Sequence, residues 1–213
     1  MSTVRTLRQD MPAAAPLDKA PLPPPASRRF AKVQVAPLPR GESVSLPDGR
    51  QLTLRPIAPQ DVAALQRCFQ RLSAEEIRLR FLHPMSQLPE PMARRLCELD
   101  DAFEAAFVLM DPSGPQEEMR GVGRIYIDEA TNGAEFAVLV EHGWTGRGLG
   151  ALLMQHLVDE CRRRGVDEIW GYVLLENRPM LDLCRHLGFK RRPAVNEPGT
   201  TLIALALDET AQA

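Results

Sequence analysis

Three glycines alternate with other residues in the segment HGWTGRGLGALL, residues 142–153, and an apolar run follows them. They are Gly146, Gly148 and Gly150. Successive backbone N–H groups in such a loop point into one concavity, and the dipole of a following helix adds partial positive charge there. Because glycine has no Cβ, a pyrophosphate can approach these amides closely, and Arg147 adds a charged donor. A bare turn into a helix needs only one glycine, so the alternation favours a phosphate-bearing ligand.

Two other nucleotide-binding loops have glycines at similar spacing. The dinucleotide-binding loop begins directly at a strand end in the first βαβ unit, whereas here the residues EHGWT separate the loop from the preceding strand. The acidic residues 167–168 precede the next strand, so they would not reach a ribose at its carboxyl end. A P-loop is excluded, because no Gly-Lys-Ser/Thr follows.

The cysteines and histidines show no spacing typical of metal ligands or redox pairs. None of the four cysteines belongs to a Cys-x-x-Cys pair, and all lie in apolar-periodic segments. We predict that they are buried, reduced thiols. The four histidines are scattered along the chain, so we predict no metal site.

The glycine loop is expected to connect a strand to a long helix. AEFAVLVE, after the turn-forming pair Asn132-Gly133, is typical of a strand. Residues 149–164 have apolar side chains at helical spacing and end in three arginines before Gly165, which suits a helix C-terminus. DEIWGYVLL, NRPMLDLCRHL and TTLIALAL then predict a strand, a helix and a last strand.

The preceding residues predict the rest of one domain. Alternating runs around Pro47-Asp48-Gly49 indicate a hairpin. PQDVAALQRCFQRL and PEPMARRLCEL have a helical period, and Ser73 with Glu76 forms a capping-box pattern at the start of another helix. EAAFVLMD and GVGRIYIDE read as two strands. Together the elements predict an α/β fold with a mixed sheet and helices on both faces.

Composition limits the function classes. The chain has 213 residues and a net charge of −2, which does not favour a nucleic-acid partner. It contains no apolar run long enough for a membrane span and no apolar leader segment, so we expect a cytoplasmic protein. Residues 1–40 are rich in Pro and Ala and are expected to be a flexible segment, and residues 209–213 a short tail.

Several motifs in a consistent order carry a family resemblance. WTGRGLGALLMQHLVDECRRRGV resembles the R/Q-x-x-G-x-G/A acyl-CoA signature of the GNAT superfamily of N-acetyltransferases. LPDGRQLTLRPIAPQD, RLSAEEIRLRF, AEFAVLV and LENRPMLDLCRHLGF extend it to the GNAT domain of bacterial Pat-type protein lysine acetyltransferases. The resemblance implies that residues 41–208 form a GNAT domain with a centrally splayed sheet, and that acetyl-CoA lies in the splay.

The same resemblance implies the residues that contact the donor. The backbone of Val138, Leu139 and Val140 would contact the pantetheine arm, and an N–H near Leu139 or Val140 would hold the acyl oxygen. The loop residues expected to contact the pyrophosphate are Thr145, Gly146, Arg147, Gly148, Leu149 and Gly150. Thr145 departs from the signature, where Gln or Arg is usual. Asn177 matches the family's pantetheine-contacting asparagine, although it also suits a plain helix N-cap.

An acetyl acceptor amine must be neutral to attack, so a general base is useful. Glu135 is the candidate, because it begins the strand that would carry the acyl group and shares a face with Ala137 and Leu139. An exposed strand-edge glutamate is the alternative. Cys184 occupies the position at which many GNAT enzymes have a proton-donating tyrosine, and a buried packing thiol is the simpler interpretation.

The resemblance leads to three functional hypotheses. The first is acetylation of a lysine on a protein partner, with Arg78 and Arg80 in the region that usually forms the acceptor wall. The second is acetylation of a small-molecule amine, since the fold serves many acceptors. The third is a CoA-binding regulatory module that catalyses no reaction. Thr145 and the missing tyrosine are consistent with this hypothesis, whereas Glu135 argues against it.

Overall fold

The computed structural model describes residues 41–82, 84–194 and 198–207. The flexible segment predicted for residues 1–40 and the tail predicted for residues 209–213 lie outside the described residues. No helix within the described ranges is long and apolar enough to cross a membrane.

The core of the fold is one eight-stranded sheet with the order β1-β2-β3-β4-β5-β6-β8-β7. Every neighbouring pair is antiparallel except β5 and β6, which are parallel. The mixed parallel and antiparallel sheet predicted from the sequence is therefore confirmed. The strands are β1 Glu42–Ser45, β2 Gln51–Pro56, β3 Glu104–Asp111, β4 Glu118–Asp128, β5 Gly133–Val140, β6 Glu168–Leu174, β7 Lys190–Arg192 and β8 Thr200–Ala206.

The sheet splays apart at its centre. β5 and β6 pair only from Gly133 opposite Glu168 to Glu135 opposite Trp170. Both strands continue beyond that point, β5 to Val140 and β6 to Leu174. The carboxyl-terminal halves of two parallel neighbours therefore diverge and leave a wedge between them, as the family resemblance implied.

Helices cover both faces of the sheet. They are α1 Val62–Arg71, α2 Ala74–Phe81, α3 Glu90–Cys97, α4 Leu149–Arg163 and α5 Arg178–His186. α4 and α5 bury Leu153, Leu157 and Leu181 in the core on one side, called here the α4 face. Helices α1–α3 bury a second core on the other side, called the α1 face. Successive side chains of β5 point alternately to the two faces. Phe136 belongs to the core on the α4 face, and Leu139 packs against the core on the α1 face.

Close approach to β4 sets the position of α4. A Cβ at Gly121 or Gly123 would lie 3.3 Å from side-chain atoms of Leu153. The two glycines of β4 therefore let the helix lie close to the sheet, and that fixes where the helix N-terminus and the glycine loop come to rest.

The structure differs from the sequence prediction mainly at element ends. β4 begins at Glu118, three residues before the predicted start at Gly121. β7, Lys190–Arg192, was not predicted, because its three residues are charged and exposed and carry no apolar alternation. Its strand conformation comes from pairing with β8.

Candidate active site

The β5 backbone presents two N–H groups to the wedge. Glu141 N–H donates to the Arg120 carbonyl at 2.9 Å. Because an antiparallel ladder repeats every two residues, the Leu139 N–H has the same direction, toward β4. The N–H groups of Val138 and Val140 point to the opposite side, where β6 has diverged. Of the three residues predicted to contact the donor arm, Val138 and Val140 have N–H groups without an acceptor in the described part of the chain. The Leu139 side chain packs on the α1 face.

The glycine loop forms an open concavity at the N-terminus of α4. Gly146 and Gly148 have φ of 73° and 81°, which L residues rarely adopt, and a Cβ at either would meet no atom within 4 Å. The first helical hydrogen bond runs from Leu152 N–H to the Gly148 carbonyl at 3.0 Å. The N–H groups that precede it therefore have no partner within the helix. The loop fits a pyrophosphate, because the free amides border open space.

Gly150 and Leu149 have different roles within the same loop. A Cβ at Gly150 would lie 3.4 Å from Leu183 of α5, so this position serves helix packing. The Leu149 side chain is 2% exposed and belongs to the core. Only the backbone N–H groups of these two residues are directed to the helix N-terminus.

Thr145 uses its polar groups within the turn that precedes the glycines. Both its N–H, at 3.1 Å, and its hydroxyl, at 2.8 Å, donate to the His142 carbonyl. The hydroxyl proton is therefore already used, and only the oxygen lone pairs are left to accept. Thr145 shapes the short 3₁₀ turn His142–Trp144, which the sequence analysis did not anticipate.

Arg147 is tied to the β1–β2 turn. Its guanidinium pairs with Asp48 and also donates to the Gly143 carbonyl at 3.4 Å, while its Nε is buried without a hydrogen-bond partner among the described residues. Asp48 also accepts from Arg50 at 2.7 Å. The hydrogen bond from Arg50 holds the pKa of the Asp48 carboxyl down, at about 2. Arg50 and Arg147 thus share the Asp48 carboxylate.

Charged side chains brace the loop from outside. Trp144 is 6% exposed, with the Arg50 guanidinium 4.0 Å and the Arg120 guanidinium 5.0 Å from its ring centroid. Glu141 pairs with Arg71 of α1 at 3.1 Å and with Arg120 at 3.2 Å. These contacts hold the loop in place before any ligand arrives, which lowers the ordering cost of binding.

Glu135 lies on the α1 face at the point where the wedge opens. Its neighbours in the sheet are Tyr126 on β4 and Trp170 on β6. The Glu135 side chain is partly exposed, and its charge acts on the Arg80 guanidinium of α2. Trp170 and Tyr172 of β6 form an edge-to-face pair with centroids 5.7 Å apart.

The sequence analysis missed these aromatic residues. Period-two alternation along β4 and β6 would have placed Tyr126 on one face of its strand and Trp170 with Tyr172 on one face of the other. Nothing in the sequence indicated the register between the strands, so their meeting with Glu135 could not be predicted.

Helix α2 lies against the same side of the wedge. Ser73 and Glu76 form the predicted capping box at its start, and a Glu76 oxygen accepts from His142 N–H at 2.9 Å. Arg78 pairs with Glu176, in the connection between β6 and α5. The helix thus bridges the two diverging strands, and the charge of Glu135 acts on its Arg80.

Two further predicted residues have structural roles. Asn177 accepts from Met180 N–H at 3.2 Å and so caps α5. Cys184 is 1% exposed, and burial raises the pKa of its thiol to about 12, so it is a packing residue rather than an acid. The other three cysteines are also buried free thiols. Within the described ranges no group of His, Cys, Asp and Glu is arranged to hold a metal ion.

Comparison with known proteins agrees with this geometry. The model of the Acetyltransferase (GNAT) family matches residues 65–189. A Pseudomonas aeruginosa protein described as an acetyltransferase is 33% identical over 146 residues, which are 68% of this chain and 78% of that protein. The ribosomal protein bS18-alanine N-acetyltransferase of Salmonella typhimurium is 37% identical over 68 residues, which are 32% of this chain and 44% of that protein.

Among solved structures, the GNAT domain of S. lividans PAT has a TM-score of 0.70 to this chain at 23% identity. The match covers 78% of this chain and 97% of that domain. At this level of identity the two proteins share the fold.

Proposed function

Because the chain belongs to the GNAT family of acetyltransferases, we propose that it acetylates the ε-amine of a lysine on a protein by direct attack on acetyl-CoA. Acetyl-CoA is the donor that the family uses. The observation that carries the proposal is the wedge between β5 and β6, with free N–H groups on one wall, the open glycine loop at its end and Glu135 at its apex.

The donor would lie in the wedge. The N–H groups of the loop and of the first turn of α4 would bind its pyrophosphate, and Val138 and Val140 would bind the arm. An N–H of one of these two valines would also donate to the thioester oxygen as negative charge develops on it. Since the sheet holds both valines in place, this donor needs no rearrangement during the reaction.

Glu135 would act as the general base. A free lysine has a pKa of about 10.4, so roughly one in two thousand is neutral near pH 7. The amine nitrogen forms a bond to the thioester carbon, the C–S bond breaks, and the amine proton passes to the Glu135 carboxylate. The sulfur leaves as the CoA thiolate and takes a proton from solvent, because the Cys184 thiol is buried in the core.

The acceptor would approach from the α1 face. This side of the wedge is bordered by α2 and by partly exposed residues of β5 and β6. The likeness to the GNAT domain of S. lividans PAT and to an enzyme named for a ribosomal-protein alanine supports a protein acceptor. A small-molecule amine is the alternative acceptor.

We expect Glu135→Gln to lower kcat at pH 7 by about a hundredfold or more, the usual contribution of a general base. Binding of acetyl-CoA, measured by calorimetry, should be unchanged, because the proposed donor contacts are backbone N–H groups of the glycine loop and β5. The Glu135 side chain, on the α1 face, is not one of them. The difference from wild type should narrow as pH rises, because a larger fraction of the lysine is then neutral. Glu129→Gln, an exposed residue of the β4–β5 turn, is the matched control. Equal transfer by Glu135→Gln and wild type across pH would show that Glu135 is not the base.

The acceptor is identified by incubating the protein with labelled acetyl-CoA and a whole-cell lysate. Label on specific protein bands, located by mass spectrometry on lysine side chains, is the expected result. Label on protein N-termini would assign the α-amine instead, and label only in small molecules would overturn a protein acceptor.

A further inference from the structure

Two arginines from different elements line the α1 face beside Glu135. Arg80 comes from α2, and Arg124 from β4. Arg124 is the cross-strand neighbour of Ala137 and lies on the same face as Tyr126 and Glu135. The Arg80 and Arg124 side chains line one narrow cavity, whose walls include Phe69, Phe81, Leu96 and Leu139.

Among the described residues, neither guanidinium forms a direct ion pair with a carboxylate, although the charge of Glu135 acts on Arg80. Arg124 donates to the Leu96 carbonyl at 2.6 Å, and the Arg80 guanidinium lies 4.9 Å from the Phe81 ring centroid. Arginines on neighbouring surfaces differ in this respect: Arg95 pairs with Glu104 at 2.8 Å and Arg120 with Asp111 at 3.0 Å.

Both side chains are partly buried and both guanidinium groups remain charged at neutral pH. Burial and, to a smaller extent, the nearby charge of Arg124 lower the pKa of Arg80 to about 10, while the charge of Glu135 opposes the shift. Burial likewise lowers the pKa of Arg124 to about 10, and the charge of Glu104 opposes that shift. Glu104 is already paired with Arg95 at 2.8 Å, so Glu135 is the carboxylate that faces the two guanidinium groups, and they leave an excess positive charge beside an apolar wall. The pair is therefore complementary to an anionic group that comes from outside the chain.

We propose that Arg80 and Arg124 form a carboxylate subsite on the acceptor side of the wedge, which binds a carboxylate that the acceptor carries close to its reacting amine. The proposal rests on the proposed acetyltransferase function and adds the substrate class. The carboxylate comes either from an acidic residue near the target lysine or from the carboxyl group of a small amino acid. Guanidinium groups suit it, because their planar donors match a carboxylate.

The test uses a series of peptides, each with one central lysine and one Asp. The position of the Asp differs between peptides, from two residues before the lysine to two residues after it. Each peptide has a twin with Asn in place of Asp. Nα-acetyl-lysine and its carboxamide form the small-molecule pair. Wild type should favour the carboxylate member of at least one pair by about tenfold in kcat/KM, which is typical of a hydrogen-bonded charged group.

Arg80→Gln should remove this preference while the KM for acetyl-CoA stays unchanged, and Arg80→Lys should keep part of it. Arg94→Gln, on an exposed arginine of α3, is the matched control and should behave as wild type. Because Arg124→Gln can destabilise the contact with Leu96, its folding is checked by circular dichroism before its preference is measured. A preference in the peptide pairs assigns a protein acceptor, and one confined to Nα-acetyl-lysine assigns a small amino acid.

A binding measurement separates this proposal from the proposed function. The same pairs are titrated by calorimetry into protein saturated with CoA, where no transfer is needed. Tighter binding of the carboxylate members, abolished by Arg80→Gln, supports the subsite even if no peptide is acetylated. Equal affinity for both members of every pair in wild type overturns it, whether or not transfer occurs.

Discussion

Asp48 places a negative charge beside the glycine loop. It lies in the β1–β2 turn and pairs with Arg147, the one charged side chain of the glycine loop itself. A pyrophosphate that occupied the loop would compete with Asp48 for this guanidinium. The carboxylate would also repel the ligand, because its depressed pKa of about 2 keeps it ionised at neutral pH. Asp48 would therefore oppose binding of the proposed donor, although it orders Arg147.

We expect Asp48→Asn to tighten acetyl-CoA binding by about threefold at low ionic strength, the scale of a solvent-exposed charge interaction. The gain should shrink as salt is added, because salt screens exposed charges. Calorimetric titration at two ionic strengths measures both effects. Asp159→Asn, on the exposed surface of α4, is the control. Unchanged affinity at low salt would show that the bound donor does not reach Arg147.

At the scale of one element, α4 has a glycine with positive φ at each end. Gly148 precedes its first residue with φ of 81°, and Gly165 follows its last turn with φ of 68°. A Cβ at either position would meet no atom within 4 Å. Both positions therefore require the same left-handed backbone conformation, and of the two only Gly148 belongs to the glycine loop.

We expect Gly148→Ala and Gly165→Ala to lower the free energy of unfolding by similar amounts, about 1–2 kcal/mol for an L residue in the left-handed region. Only Gly148→Ala should weaken acetyl-CoA binding, by about tenfold, because its methyl group would enter the concavity. Urea unfolding and calorimetry measure the two quantities. If Gly148→Ala and Gly165→Ala both changed acetyl-CoA affinity equally little, the placement of the pyrophosphate at this end of α4 would be contradicted.

For the whole molecule, buried and partly buried carboxylates connect elements through arginines. Glu118 of β4 pairs with Arg67 at 2.9 Å and Arg71 at 2.8 Å, both on α1. Glu160 of α4 pairs with Arg164, whose guanidinium also donates to the Asp101 carbonyl before β3. Burial alone would raise the pKa of Glu118 and Glu160, but hydrogen bonds from their arginines outweigh it and lower both.

These depressed pKa values give a pH dependence of stability. The folded pKa lies below the ordinary value of 4.5, so the stabilisation is complete above that value and is lost as pH falls through the folded pKa. We expect the free energy of unfolding from urea titrations to be level between about pH 7 and 5 and to fall below that. Glu118→Gln should reduce the slope of this decline, whereas the exposed Glu75→Gln should not. An identical slope in Glu118→Gln and wild type would contradict the assignment.

Local signals in the chain predicted most elements correctly. Asn132, with φ of 49°, lies in the predicted β4–β5 turn, and the Ser73–Glu76 capping box starts α2 as expected. The glycines at 146 and 148 were recognised as a loop before a helix, and Cys184 as a packing thiol. Each of these depends on interactions between residues within a few positions of one another, which is why the sequence alone carries them.

The candidate site depended on longer-range contacts. Glu135 was predicted as the base from its strand position and the family resemblance, but its pairing with Tyr126 and Trp170 follows from the register of three strands. A shift of one residue would turn its side chain into the α4 face, and only packing of both cores excludes that shift. The ion pairs Arg147–Asp48 and Arg78–Glu176 join residues 99 and 98 positions apart.

The sequence by itself therefore determined the helices, the turns and the glycine loop, because backbone conformation is set largely by neighbouring residues. Only the tertiary structure decided that β5 and β6 separate after Glu135 and Trp170, and that Arg80 and Arg124 meet on the same face beside Glu135. Both outcomes depend on how α4 and α1–α3 pack against opposite faces of one sheet, and no single segment of the chain contains that information.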